Sequence, residues 1–405
     1  MRKLPLLLVI ACIACTLMVF YACSKKDQVI PSATTVQDDD LSEAQNTPGH
    51  KRIVLTKNAD KGLYINGKNF KYSPGDTLVL TGDWSYLSLE NFYGVQKNWV
   101  IIINQGSQVK LTNGISLTNC RYVRLLGQGT KHKYGFRIET KVNDGVGISI
   151  QGRSAFIEVA NVDVYNKTYG YWVKQEASCI DSLQYPNWVI NHIRIHDGRI
   201  KKVNQEGLYM GSTDPNGTRS ISCNGKIIQP KPLRLGYIKV YNMIIDSTNR
   251  SGIQLSCASE GVNLIHDNVI TNCGYEFEPN GQGCGISLGG YTTARVYNNT
   301  INNTYTAGMM CLGAGQLTVQ NNSIKNSGKL GGKSVKGMAS IMVDTRNTNP
   351  VDSTNFDITD NILGDNTDVN VRVYKTYNTY AKGNKICQAG STIAVVSGID
   401  WNKCK

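Results

Sequence analysis

No stretch of this 405-residue chain carries the spacing of a ten-residue amphipathic helix, which excludes helical bundles and folds that alternate strand with helix. Beyond residue 22 there is no CxxC pair and no Cys/His cluster, so no zinc site is written into it. Nor does a dense group of aspartates offer the several hard oxygen ligands that calcium takes; calcium stays open as a cofactor and none is implied firmly. Acidic residues are a minority, 30 against 43 Lys and Arg, for a formal charge of +13.

What is present begins with Met1-Arg2-Lys3 and nineteen mostly apolar, uncharged residues, "LPLLLVIACIACTLMVFYA". A basic start before an apolar run is the layout of an export signal, although the run is almost long enough to span a bilayer. Cys23 follows Ala22 and precedes the polar "SKKDQ", which resembles a bacterial lipoprotein signal. That resemblance implies removal of 1–22, lipidation of Cys23 and anchoring of an exported chain to a bacterial membrane, the outer one being expected. Residues 23–49, with Asp38-Asp39-Asp40 and almost nothing apolar, read as a flexible tether, leaving 50–405 as the folded domain. Loss of Arg2 and Lys3 leaves 41 basic and 30 acidic residues, +11. A basic exported protein attracts acidic polymers, and outside the cytoplasm the expected partner is acidic polysaccharide rather than nucleic acid. A monomer is expected.

Nine cysteines follow Cys23, an odd number, so at least one lacks an intramolecular partner. Cys387 with Cys404 and Cys179 with Cys223 are the candidate disulfides; Cys257, Cys284 and Cys311 read as small buried apolar residues.

The dominant feature is a repeat. "VYNNTI" (296–301) recurs as "VANVDV" (159–164), "IHDGRI" (195–200), "VYNMII" (240–245), "IHDNVI" (265–270), "VQNNSI" (319–324) and "ITDNIL" (358–363), with a looser "AKGNKI" at 381–386. Its third position is Asn161, Asp197, Asn242, Asp267, Asn298, Asn321, Asp360 and Gly383, at intervals of 36, 45, 25, 31, 23, 39 and 23 residues. A second signature, "GISI" (147–150), "GLYM" (207–210), "GIQL" (252–255), "GISL" (285–288) and "GMMC" (308–311), alternates inward and outward as a strand does. A unit of about 23 residues cannot close a core alone, whereas stacked units can. The third-position asparagine is expected to tolerate a left-handed turn and to hydrogen-bond its equivalent one coil away.

These repeats resemble the right-handed parallel β-helix of the pectate-lyase-like superfamily, over about residues 50–405. The resemblance implies an all-β solenoid of about ten coils with loop insertions, and polymer lying beside one sheet. On that sheet the outward residues are Ser149, Trp172, Tyr209, Gln254, Ser287, Met310 and Met342. The candidate patch gathers Arg153, Lys174, Glu176 and Glu206 as catalytic residues, with Trp172 and Tyr209 as rings to stack on sugar; Asp344 and Arg346, after the strand at 340–343, are separate substrate-binding candidates. Lys174 beside Arg153 would have its charged form disfavoured and act as a base, with Arg153 holding a carboxylate. Insertions at 174–190 and 211–235, carrying Asp181, Asp214 and Arg219, are expected to wall a groove. The lysine run "KNSGKLGGKSVKG" (325–337) could clamp an acidic chain. His196 and His266 sit at a repeat position and read as turn decoration.

The known enzyme sets are missing: no DD pair in the repeat region and no GHG as in pectin hydrolases, no DPHD as in alginate epimerases, no WxDH as in classical pectate lyases. The expectation is therefore a carbohydrate-active protein, with β-elimination on a uronate polymer first, hydrolysis through Glu176 and Glu206 second, and glycan binding without catalysis third.

Overall fold

The computed structural model describes residues 50–142, 144–278, 282–344, 353–374 and 380–403. Cys23, Arg346 and Cys404 lie outside the described residues, as does the whole of the unit Met1–Glu43; everything below belongs to the unit Ala44–Lys405.

A full repeat contributes one strand to each of three parallel ladders, and the repeats at the two ends contribute fewer. The first ladder is a 14-stranded sheet that includes Ala155–Ala160, Val189–His196, Asn263–His266, Ala294–Tyr297 and Gly315–Gln320. The other two run side by side in a 20-stranded sheet, joined at the start by the long strand Val109–Thr118. One includes Val162–Tyr165, Arg199–Val203, Ile244–Thr248 and Val269–Cys273; the other includes Val146–Gln151, Tyr169–Val173, Leu208–Met210, Ile253–Leu255 and Ile286–Leu288. Among the described residues the helical content is the 3-10 turn Asp181–Leu183, and no helix is long and apolar enough to cross a membrane.

Alternation builds the interior. In the third ladder Ile150, Val173, Met210, Leu255, Leu288, Cys311 and Val343 stack as one inward column, all essentially inaccessible. Each such aliphatic side chain contributes about 1.5–3 kcal/mol when removed from water. The glycine that opens each "GIxL" strand is required by close approach: a Cβ on Gly207 would lie 2.4 Å from Gly252 O and 3.0 Å from Ile245 Cγ2. Cys120, Cys257, Cys273, Cys284 and Cys311 are buried, and burial pushes the Cys273 thiol up to about 12.

The asparagine-rich turn divides its work between two neighbours. The third repeat position is left-handed throughout, from φ 57° at Asn161 and 52° at Asp197 to 55° at Asn298 and 53° at Asp360. The coil-to-coil hydrogen bonds, expected there, are made by the fourth position instead. Asn268 Nδ2 donates to Asn299 Oδ1 (2.8 Å), Asn299 to Asn322 (2.9 Å), Asn322 to Asn361 (2.9 Å) and Asn361 to Gln388 (3.2 Å). The reason is direction: the left-handed residue turns its side chain to solvent, and the next residue points inward, where backbone donors need acceptors. The second repeat position forms a column of stacked rings, His196, Tyr241, His266 and Tyr297, with centroids 4.6, 5.1 and 4.7 Å apart.

Candidate functional site

The outward residues of the third ladder stand in the register Ser149, Trp172, Tyr209, Gln254, Ser287, Met310, Met342, one per coil. Their surroundings differ along the stack. Toward the C-terminus Met310 and Met342 are roofed by a second apolar cluster with Cys284, Ala307 and Ala339, packed by Leu312, Met338, Val369 and Tyr374. Trp172 and Tyr209 stay half-exposed, and Tyr169 joins them: Trp172 lies 4.9 Å from Tyr169 and 5.0 Å from Tyr209, edge to face.

Lys174 and Glu206 belong to this aromatic strip. Lys174 is almost fully buried, its Nζ 4.7 Å from the Trp172 ring centroid, 4.4 Å from that of Tyr209 and 2.9 Å from Glu176 Oε1. Its charged neighbour is thus Glu176 rather than Arg153, whose exposed residue uses its backbone N–H to donate to Asn119 Oδ1. Glu206 is 3 % exposed and its Oε2 has no hydrogen-bond partner. Burial pushes the Glu206 carboxyl above the usual carboxylate range; Arg250, 3.9 Å away, pulls it down, Glu276 pushes it up and Lys174 pulls it down. Arg250 is itself paired with Glu276 at 2.7 Å. Gln254, directly opposite Tyr209, is also buried and its Nε2 also lacks a partner.

Both cations here are matched by carboxylates, Lys174 by Glu176 and Arg250 by Glu276. The cluster therefore carries no excess positive charge despite the chain's formal +13. Asp344 stands apart. It closes the strand Ile341–Asp344, five coils from Trp172 and hence about 24 Å along the stack.

The two long insertions are tied together by the Cys179–Cys223 disulfide, and the second carries the hairpin Ile221–Cys223/Lys226–Ile228. Asp214 caps its own turn, accepting from Thr218 Oγ1 and Arg219 N. Cys387 is also disulfide-bonded. Among the described residues no group of three or more His, Cys, Asp or Glu side chains is placed to hold a metal ion.

Tyr169, Arg250 and Glu276 are the site residues that sequence reasoning did not select; Gln254 it placed in the outward column without a role. Tyr169 had a signal, since it precedes Gly170 as Glu206 precedes Gly207. Arg250 and Glu276 meet only because one coil of 26 residues separates them.

The fold is a parallel β-helix with an outward aromatic strip on its third ladder. Residues 101–324 match the family model described as right handed beta helix region, and the chain belongs to that family. A search of curated proteins finds no match. Among solved structures, the GH136 lacto-N-biosidase from Eubacterium ramulus is similar at 12 % identity and a TM-score of 0.54, over 88 % of this chain and 67 % of that one. Its native form is similar at 11 % and 0.51, over 88 % and 68 %. The alginate lyase from Paenibacillus sp. str. FPU-7 aligns at 14 % identity over 87 % and 98 %, at a TM-score of 0.44 that carries no argument. These likenesses show the fold.

Proposed function

We propose that the protein is a carbohydrate-active enzyme that holds a glycan along Tyr169, Trp172 and Tyr209 and cleaves it with Glu206 as proton donor. The observation that carries this reading is Glu206 itself: a carboxyl kept toward its neutral form by burial, with one oxygen left unpartnered, beside flat rings suited to sugar. The similarity to a lacto-N-biosidase, a structure whose name denotes a carbohydrate enzyme, supports the general class.

Hydrolysis is the reaction the local charges favour. A proton passes from Glu206 to the glycosidic oxygen as the C1–O bond breaks, and Glu176, held by Lys174, serves as the partner carboxylate toward water or C1. A neutral sugar suits the cluster, because both cations are already matched by carboxylates. The second reading is β-elimination on a uronate polymer, favoured by the chain's charge of +13. There a base removes the C5 proton, the C4–O bond breaks, and the departing oxygen takes the Glu206 proton. Against Lys174 as that base stands its ion pair with Glu176. Anchoring through a lipid on Cys23, at a bacterial outer membrane, is part of the same proposal and would place the enzyme where glycans arrive.

A screen of neutral and acidic glycans decides. New reducing ends without unsaturation, lost in Glu206→Gln and in Glu176→Gln, are expected. Unsaturated ends that survive Glu176→Gln would transfer the reading to elimination. Cleavage that survives Glu206→Gln would overturn both.

A further inference from the structure

The lysine run that the cluster does not use folds into a hairpin, Lys329–Leu330 paired with Lys333–Ser334, turning at Gly331 and Gly332 with φ of 57° and 75°. Leu330 is buried and anchors it, while Lys329, Lys333 and Lys336 stay at the surface. Its turn lies against the loop that carries Glu276: a Cβ on Gly331 would be 3.4 Å from Tyr275 Cε1 and 3.8 Å from Phe277 Cζ. Lys333 Nζ sits 3.5 Å from the Phe277 ring centroid, and Phe277 rests on Tyr305 at 5.1 Å. The loop therefore has two sides. Glu276 reaches toward Arg250 and the proton donor, and its flanking rings reach the hairpin.

Charge distinguishes the two places. The Glu206 cluster carries no excess positive charge, but none of Lys329, Lys333 and Lys336 forms an ion pair among the described residues, and residues 325–337 contain no acid. Three ammonium groups without an ion pair among the described residues lie within eight residues, beside the exposed ring of Tyr275, and their local positive field outweighs the single charge of Glu278 on the facing loop. At physiological salt that field reaches about 8 Å, so it acts on a chain lying against the hairpin and not on distant solute.

We propose that this hairpin and Tyr275 form a subsite for the anionic substituents, carboxylate or sulfate, of a glycan whose cleaved residue sits at Glu206. The path of the polymer rests on the reading given above; anion binding by the hairpin does not. The substrate is then a mixed polymer, with an uncharged residue at the proton donor and charge further along.

The test uses the full-length chain, with polygalacturonate and dextran sulfate as probes and uncharged dextran as reference. Lys329→Gln/Lys333→Gln/Lys336→Gln is expected to weaken polyanion binding about tenfold or more and to flatten its salt dependence. The charge-matched control Lys68→Gln/Lys71→Gln/Lys97→Gln, at exposed lysines near the other end of the stack, is expected to stay within about twofold of the parent. Lys329→Gln alone, expected to lose about twofold, keeps the result readable if the triple variant misfolds on thermal melting. Preference between the two probes assigns carboxylate or sulfate. Equal weakening by both triple variants, or no polyanion binding by the parent, overturns the inference. Glu206→Gln should retain full polyanion affinity, so loss of cleavage with binding intact tests the catalytic reading separately.

Discussion

Two adjacent asparagines in one turn should respond to mutation in opposite ways. Asn299 is 1 % exposed; its Oδ1 accepts from Asn268 N and Asn268 Nδ2, and its Nδ2 donates to Ile265 O, Tyr297 O and Asn322 Oδ1. In Asn299→Ala, Asn268 Nδ2 keeps Val240 O and Tyr297 O keeps the Asp267 amide. The Asn268 amide loses its acceptor inside the stack, while Ile265 keeps its place in the strand ladder. At about 1–3 kcal/mol for a stranded buried group, the cost is about 2 kcal/mol. Asn298 is exposed at φ 55°, a conformation glycine adopts freely, so Asn298→Gly is expected to change stability by less than about 1 kcal/mol. Denaturant midpoints measure both, and amide exchange should show the Asn299→Ala loss concentrated in the coils around 265–270 and 319–324, since each coil of a solenoid touches only its neighbours. Equal destabilisation by the two variants would refute the division of roles.

Three further outcomes follow from the site and its insertions. Glu206→Gln should lower kcat by about a hundredfold to ten-thousandfold, and the parent's activity should fall as pH rises through the Glu206 pKa, because the donor is the protonated acid. The same shift bears on stability: with the folded pKa raised, the contribution is fully present below the unfolded value and is lost as pH rises through the folded one. The melting temperature of Glu206→Gln relative to the parent should therefore increase with pH, and an opposite trend would contradict burial as the cause. Trp172→Ala and Tyr209→Ala should each weaken glycan binding several-fold in titration calorimetry with the fold intact; unchanged binding would remove the strip from the substrate path. Cys179→Ser with Cys223→Ser opens a cross-link spanning 44 residues, worth about 4 kcal/mol by chain entropy. Because the loop it closes includes the core strands Val189–His196, Arg199–Val203 and Leu208–Met210, a lowered global melting temperature is expected together with faster proteolysis between 175 and 235.

The family, the stacked strands and the outward column from Ser149 to Met342 were legible without coordinates, since they follow from repeat spacing and a two-residue alternation. So was the left-handed turn, because Asn, Asp and Gly recur where a positive φ is needed. The ladder of amides one position later was not separable from it: where "NN" occurs, both residues are asparagine, and only the direction of each side chain tells which is buried. The site shows the same division. Trp172, Lys174, Tyr209 and Glu206 share neighbouring coils by register alone. Which of the charges face one another depends on where the loops between coils place their side chains, and that is how Glu176, not Arg153, came to hold Lys174. Composition determined that the chain is basic; tertiary structure decided where that charge is left uncompensated, because pairing acts over a few ångströms and pairs residues as far apart as Arg250 and Glu276.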